Sequence, residues 1–417
     1  MRLKQENSIL PVEEIFSIDD LALPEEIKNK IKWNYQRGLP GRTLSILKRY
    51  VKRNVNNPEV RGYVEEAKRY LKNIDKTRSY NNCHMVITHA RLLSLSDDFI
   101  KNYTVIIDED ILLTCLRNTG EISREGVTVA QRKGIAGAKL KAFLDAEIDS
   151  CCINDPYGTY VEEDELNRAK IYENINGLLN CTTFYAGEDH FAFFTHSDLP
   201  KGKYIILSAT LSEELYRSYF GKTMWVVMYP EYTVKNKGRI IQYTAYSCSR
   251  RCLNEKPELF EKIREITGEV ETLTFNAYLG KVPNRSGLSI TNCAGSDMLK
   301  GRDICVVGTP FTRPEIYKII GLYLGGDTEQ EMARRRVTYG QYSFTLMAFG
   351  EGILRTLQLY MISSDLEQSV GRARILREDA TVYLFSSFPV GQAEIHQNDY
   401  LKNTEEADVL LRAHLQK

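Results

Sequence analysis

Three consecutive carboxylates, Asp108-Glu109-Asp110, follow the apolar run Val105-Ile106-Ile107. The run reads as a buried strand, so three like charges meet at one strand tip. The chemistry that suits such a tip is Mg²⁺ holding a nucleotide phosphate; a solvated turn is the plain alternative. A second group, Ser208-Ala209-Thr210-Leu211-Ser212, closes the strand Lys203–Leu207. Its small hydroxyl residues could hydrogen-bond the carboxylates of a neighbouring tip. In a parallel sheet the strand ends gather at one edge, where ligands bind.

Three more groups lie downstream. The turn Ala294-Gly295-Ser296-Asp297, continuing to Gly301-Arg302-Asp303, is either an ordinary loop or a place where backbone nears a phosphate. Arg334, Arg335 and Arg336 stand beside Tyr339, Tyr342 and Phe344. They could grip a nucleic-acid backbone and stack bases, or form a basic hairpin face. In Gln368-Ser-Val-Gly371-Arg372-Ala-Arg374, helical spacing puts Gln368 and Arg372 one turn apart on one face. Gly371 would allow another backbone close. Guanidiniums offered to a γ-phosphate neutralise charge that builds during phosphoryl transfer. The alternative is a surface helix whose arginines pair with Glu367 and Glu378.

The elements that must position these groups read as α/β. Residues 11–80 have helical spacing, broken by Gly38-Leu-Pro-Gly41, with a new helix starting at Asn56-Asn57-Pro58. The run Lys48, Arg49, Lys52, Arg53 is most simply a solvated helical face and otherwise a nucleic-acid contact. Met85-Val-Ile87 is a short strand before the one ending at Asp108. Residues 113–200 read as mainly helical and polar. A second α/β block starts near 225, with strands at 225–228, 240–243, 271–275, 304–307 and 381–385 and helices at 257–267 and 314–323.

Composition narrows the classes. The 417 residues carry zero formal net charge, with 43% hydrophobic and 26% charged residues. Nucleic-acid binding would therefore need a local groove rather than a basic surface overall. Nine cysteines include no paired Cys-x-x-Cys knuckles, so neither zinc nor an iron–sulfur cluster is expected. No apolar run approaches the roughly 20 residues that span a bilayer. With a charged start and no secretory leader, the expected location is the cytoplasm.

The four groups at 108–111, 208–210, 295–297 and 368–374 resemble, in order and spacing, motifs II, III, V and VI of superfamily 2 helicases. The resemblance spans roughly residues 83–390. Val86-Ile-Thr-His-Ala-Arg-Leu-Leu93, the hundred-residue gap before Ser-Ala-Thr, and Val306-Val-Gly-Thr-Pro-Phe311 are similar to the XPD/DinG type. The fold implied is two RecA-like parallel-sheet domains, the first incomplete and carrying a mainly helical, arch-like insertion. Residues 1–82 would be its helical N-terminal part, 83–224 the first domain with the insertion at about 113–200, and 225–417 the second.

The activity implied is ATP-dependent movement along single-stranded nucleic acid, DNA first with RNA left open, in a phage or mobile-element setting. By resemblance Asp108 holds Mg²⁺ through water and Glu109 is the general base. Ser208 and Thr210 couple nucleotide state to closure, and Gly295 and Asp297 read the nucleotide or the strand from the second domain. Gln368, Arg372 and Arg374 complete catalysis, with Arg377 an alternative second finger. Thr88, His89, Thr309, Arg334, Arg335 and Tyr339 would meet the strand. The chain departs from the pattern in lacking Gly-x-x-x-x-Gly-Lys-[Ser/Thr] upstream of Asp108; Gly221-Lys-Thr223 follows Ser-Ala-Thr and lacks the first glycine. Only Cys83 precedes the acidic motif, so that group's cluster domain is absent. The expectation is a motor whose P-loop is supplied by another chain or by sequence absent here; the alternative is an inactive nucleic-acid-binding module or a helicase remnant.

Overall fold

The computed structural model describes residues 12–14, 18, 21–76, 84–208, 210–221, 234–293 and 295–401. The expected strand at 225–228 lies outside them, as does Cys83. The chain divides into two compact units, residues 1–224 with 315–328, and residues 225–314 with 329–417.

The first unit opens with three helices, α1 (Glu25–Gln36), α2 (Arg42–Asn54) and α3 (Arg61–Lys76). Gly38, at φ +69°, turns the chain between α1 and α2. Asn57 accepts from the Glu59 amide and starts the turn that runs into α3. Leu47, Val64 and Ala67 are buried where α2 and α3 pack. Two strands, β1 (Val12–Glu14) and β2 (His84–Val86), pair in parallel. The acidic strand β3 (Thr104–Asp108) pairs in parallel with β8 (Lys203–Leu207), Asp108 opposite Leu207. A helix α4 (Glu213–Phe220) follows.

Between these strands the expected mainly helical insertion is instead mixed. Four strands form an antiparallel sheet in the order β4 (Thr119–Ser123), β7 (His190–Phe194), β6 (Thr183–Ala186), β5 (Ser150–Ile153). The aromatic runs of β6 and β7 fit a pleated surface, and Gly187 sits in the tight link between them. Phe184, Phe191 and Phe193 bury against Val127, Leu140 and Phe143 of the helices Arg124–Arg132 and Gly137–Leu144. The helix Pro314–Tyr323, formed where expected, also packs here: Thr183 Oγ1 donates to the Ile319 carbonyl.

The second unit is a five-stranded parallel sheet in the order β10 (Glu271–Leu273), β11 (Ile304–Val307), β14 (Thr381–Phe385), β9 (Arg239–Tyr243), β15 (Ala393–His396). All four residues of β11 are buried, as a parallel sheet covered on both faces requires. The covering helices include α5 (Glu258–Thr267) and α6 (Ile353–Val370), and a hairpin joins β12 (Ala333–Tyr339) to β13 (Tyr342–Ala348). Cys305, inside the sheet, is a buried free thiol whose pKa burial pushes up. The α/β class is thus as read; no helix among the described residues is long and apolar enough to cross a membrane.

Candidate functional site

The carboxylates at the tip of β3 do not act alike. Asp108 and Glu109 are exposed, whereas Asp110 is 5% exposed. Asp110 accepts hydrogen bonds from Thr210 Oγ1 at 2.9 Å and from the Tyr216 hydroxyl of α4 at 2.6 Å. Burial and the adjacent Asp110 push the Tyr216 phenol up, so it remains a donor. Hydroxyl donors thus offset the buried charge. Among the described residues no group of three His, Cys, Asp or Glu side chains converges as a metal cage.

Glu109 has φ +108°, an unusual conformation for a residue with a Cβ, while its amide donates to the Leu207 carbonyl across the pair. The two strands therefore hold this tip in a strained shape. Ser208 Oγ accepts from the Thr210 amide at 3.2 Å, shaping the turn that delivers Thr210 to Asp110. Thr88 caps the helix His89–Leu92 by accepting from the Arg91 amide. His89 Nδ1 meets Thr114 Oγ1 at 3.1 Å; burial lowers its pKa against the pull of Glu109, Asp110 and Asp108. One exposed carboxylate, Asp108, suits Mg²⁺, which keeps most of its waters and takes one or two protein ligands. The chain's sequence provides no P-loop cradle for the phosphates.

In the second unit, the turn at 295–297 and the segment 368–374 come together. Arg374, in the left-handed region at φ +57°, donates through Nε and Nη2 to Asp297 Oδ1 at 2.9 and 2.6 Å. Arg372 is 5% exposed and donates to the backbone carbonyls of Gln368 and Ser296. Its guanidinium thus ties α6 to the turn. Gly295, at φ +72°, makes the bend. Gly371 is helical, and a Cβ there would meet nothing, so close backbone approach is not its reason. Beside Gln368, burial raises the Glu367 carboxyl to about 7.

A groove of about 1300 Å³ opens in this unit. Its walls include Thr244, Ser247 and Ser249 after β9, Phe311, Thr312 and Arg313 after β11, Ser387 after β14, and Gln397 after β15. All four strands are parallel, so these loops share the carboxyl edge of the sheet. The hairpin adds Arg334, Ser343, Phe344, Thr345 and Met347. Arg250 lies 4.3 Å over the Phe275 ring and donates to the Phe311 carbonyl at 3.1 Å. Arg250, Arg251, Arg313 and Arg334 face one acid, Glu255, which pairs with Arg251.

No protein-family model matches this chain, and no curated protein matches it.

Of the residues expected to meet a strand, Arg334 lines the groove. Arg335 instead turns Nε to the Ala348 carbonyl, and Tyr339 packs on Phe388 with its hydroxyl 2.6 Å from Ser363 Oγ. The alternation along β12 explains this, since positions 334 and 336 face out and 335, 337 and 339 face in. Thr309 is fully buried, bonded to the Ser247 carbonyl and Ser386 Oγ, and shapes the floor rather than the surface. Sequence reading missed Ser247, Ser249, Arg250, Thr312 and Arg313. Their signal was hydroxyls and arginines just beyond strand ends.

Proposed function

We propose that this protein is the strand-gripping part of an ATP-driven helicase or translocase acting on single-stranded nucleic acid, with DNA the favoured substrate. The observation that carries the reading is the bond from Thr210 to Asp110. It joins two groups a hundred residues apart at the ends of paired parallel strands. In this reading Asp108 holds Mg²⁺ through water, and Glu109, held at the strained tip, accepts the proton of an attacking water. Bound Mg-ATP would supply the γ-phosphate. A shift of Thr210 would move Asp110 and, through Tyr216, α4, linking the tip to the body of the first unit.

In the second unit Gln368, Arg372 and Arg374 act with Gly295 and Asp297. The Arg374–Asp297 pair holds a guanidinium in a fixed pose, ready to exchange its carboxylate for a phosphate. The groove grips the strand backbone with guanidiniums and hydroxyls, the usual phosphate partners.

The exposed face of the β3–β8 pair supports a covering segment that carries the P-loop, on another chain or in sequence absent here. Ile106 is 65% exposed, Ile205 49% and Leu207 53%. Parallel sheets are ordinarily covered on both faces, so a covering segment fits there. The alternative, a nucleic-acid-binding module without turnover, is favoured by the missing cradle. A binding titration with a labelled single-stranded oligonucleotide tests the common part. Arg250→Gln with Arg334→Gln should weaken binding and lower its salt dependence by about 0.7 per lost contact. Unchanged affinity would remove the groove from the account.

A further inference from the structure

The helices α1 to α3 are not part of the groove, yet α2 carries an exposed basic face. Along α2, Thr43, Ile46, Leu47 and Tyr50 are buried, while Lys48, Arg49, Lys52 and Arg53 are exposed on the opposite side. The helix contains no acidic residue. Its neighbours carry acids that pair part of their basic charge: Lys28 with Glu25 on α1, and Lys68 and Arg69 with Glu65 and Glu66 on α3. Arg42, at the start of α2, is held by Glu162 and Glu163. Among the described residues, Lys48, Arg49, Lys52 and Arg53 make no ion pair. Lys52 and Arg53 also suit the negative end of the helix, but Lys48 and Arg49 sit a turn earlier, where that effect has faded.

We infer that this face of α2 is a second contact for the phosphate backbone of the strand, apart from the groove. The inference rests on the nucleic-acid reading above. Charge complementarity carries it, since four cations without an ion pair, gathered on one face of a helix that holds no acid, form a local positive field on a chain of zero net charge. The pairs 48/52 and 49/53 are each spaced by four residues, about 6 Å along the axis. Two such rows can follow successive phosphates. Tyr63, on the adjoining turn of α3 and near enough to Tyr50 to influence its ionisation, is 41% exposed and offers a ring to a base.

The test is a salt titration of the full chain binding a labelled thirty-nucleotide oligo-dT. It compares wild type, the quadruple Lys48→Gln, Arg49→Gln, Lys52→Gln, Arg53→Gln variant, a charge-keeping Lys48→Arg, Lys52→Arg variant, and the groove pair Arg250→Gln, Arg334→Gln. Glutamine forms helix about as well as lysine, and melting curves check that the variants fold. The quadruple variant should bind about tenfold or more weakly at 0.1 M salt, with a slope of log K against log salt reduced by up to about 3. The charge-keeping variant should match wild type. If the quadruple variant equals wild type while the groove pair weakens binding, the α2 contact is overturned and the groove reading stands. Loss in the quadruple variant alone supports α2 and overturns the groove. No binding by wild type overturns both.

Discussion

In the second unit every residue of β11 is buried, whereas in the first unit Ile106, Ile205 and Leu207 of the β3–β8 pair stand 49–65% exposed. Both are parallel sheets of β-branched strands, and both carry the candidate chemistry at their carboxyl ends. The difference is in what covers them. The five-stranded sheet has helices and a shared core around it, so its loops are held by structure within the unit. The pair has two strands and one bare face, yet its tip is still tightly shaped, by the strained Glu109 and by the hydroxyls that hold Asp110. A site can thus be ordered locally by hydrogen bonds while one face of its sheet stands open.

The comparison can be broken most severely in the buried sheet. Phe385→Ala removes a fully buried ring stacked on Tyr243 and should cost about 3–5 kcal/mol, measured by denaturant unfolding. A loss below about 1 kcal/mol would mean that this sheet is as loose as the pair.

Next comes Glu367, raised by burial from an ordinary 4.5 to about 7. The folded state then binds the proton more tightly than the unfolded state, so stability is full below about pH 4.5 and is lost as pH rises towards 7. Glu367→Gln should remove that slope and stabilise the chain by on the order of 2–3 kcal/mol at pH 8, with little change at pH 4. Melting curves across pH read it directly, and an unchanged slope would contradict the burial of this carboxyl.

Thr210→Val deletes one of the two hydroxyls on Asp110 and should cost about 1–2 kcal/mol. Hydrogen exchange should show the loosening at the β3 tip and at α4; exchange there identical to wild type would contradict the lock. The smallest effect belongs to the bare face, where Ile205→Thr should change stability by less than about 0.5 kcal/mol. A loss as large as that of Phe385→Ala would show that the face is already covered.

Much of this was legible in the sequence. The strands ending at Asp108, Leu207, Tyr243, Val307 and Phe385 are short β-branched or aromatic runs next to turn residues, and the α/β class follows from them. The antiparallel sheet of β4 to β7 was not legible. Phe191 to Phe194 is a continuous apolar run, which periodicity cannot distinguish from a buried helix. Nor could spacing separate Arg334 from Arg335, because which one faces out depends on the hairpin register. The groove was hidden for another reason. It is assembled from the ends of four strands spread over more than 150 residues, and only the strand order brings Ser247, Thr312 and Ser387 to one edge. Asp110 looked like one of three equal acids until Tyr216, far along the chain, was seen bonded to it.

The most direct test of the central claim is Mg-ATP hydrolysis by the purified chain, with and without single-stranded DNA, while DNA binding is followed in the same samples. The proposed strand-gripping part without its own P-loop should bind the DNA, lose it as salt rises, and hydrolyse no more ATP than its Glu109→Gln variant. DNA-stimulated turnover that Glu109→Gln abolishes would contradict the account by showing that this chain holds the phosphates unaided, and a failure to bind DNA would contradict the motor reading itself.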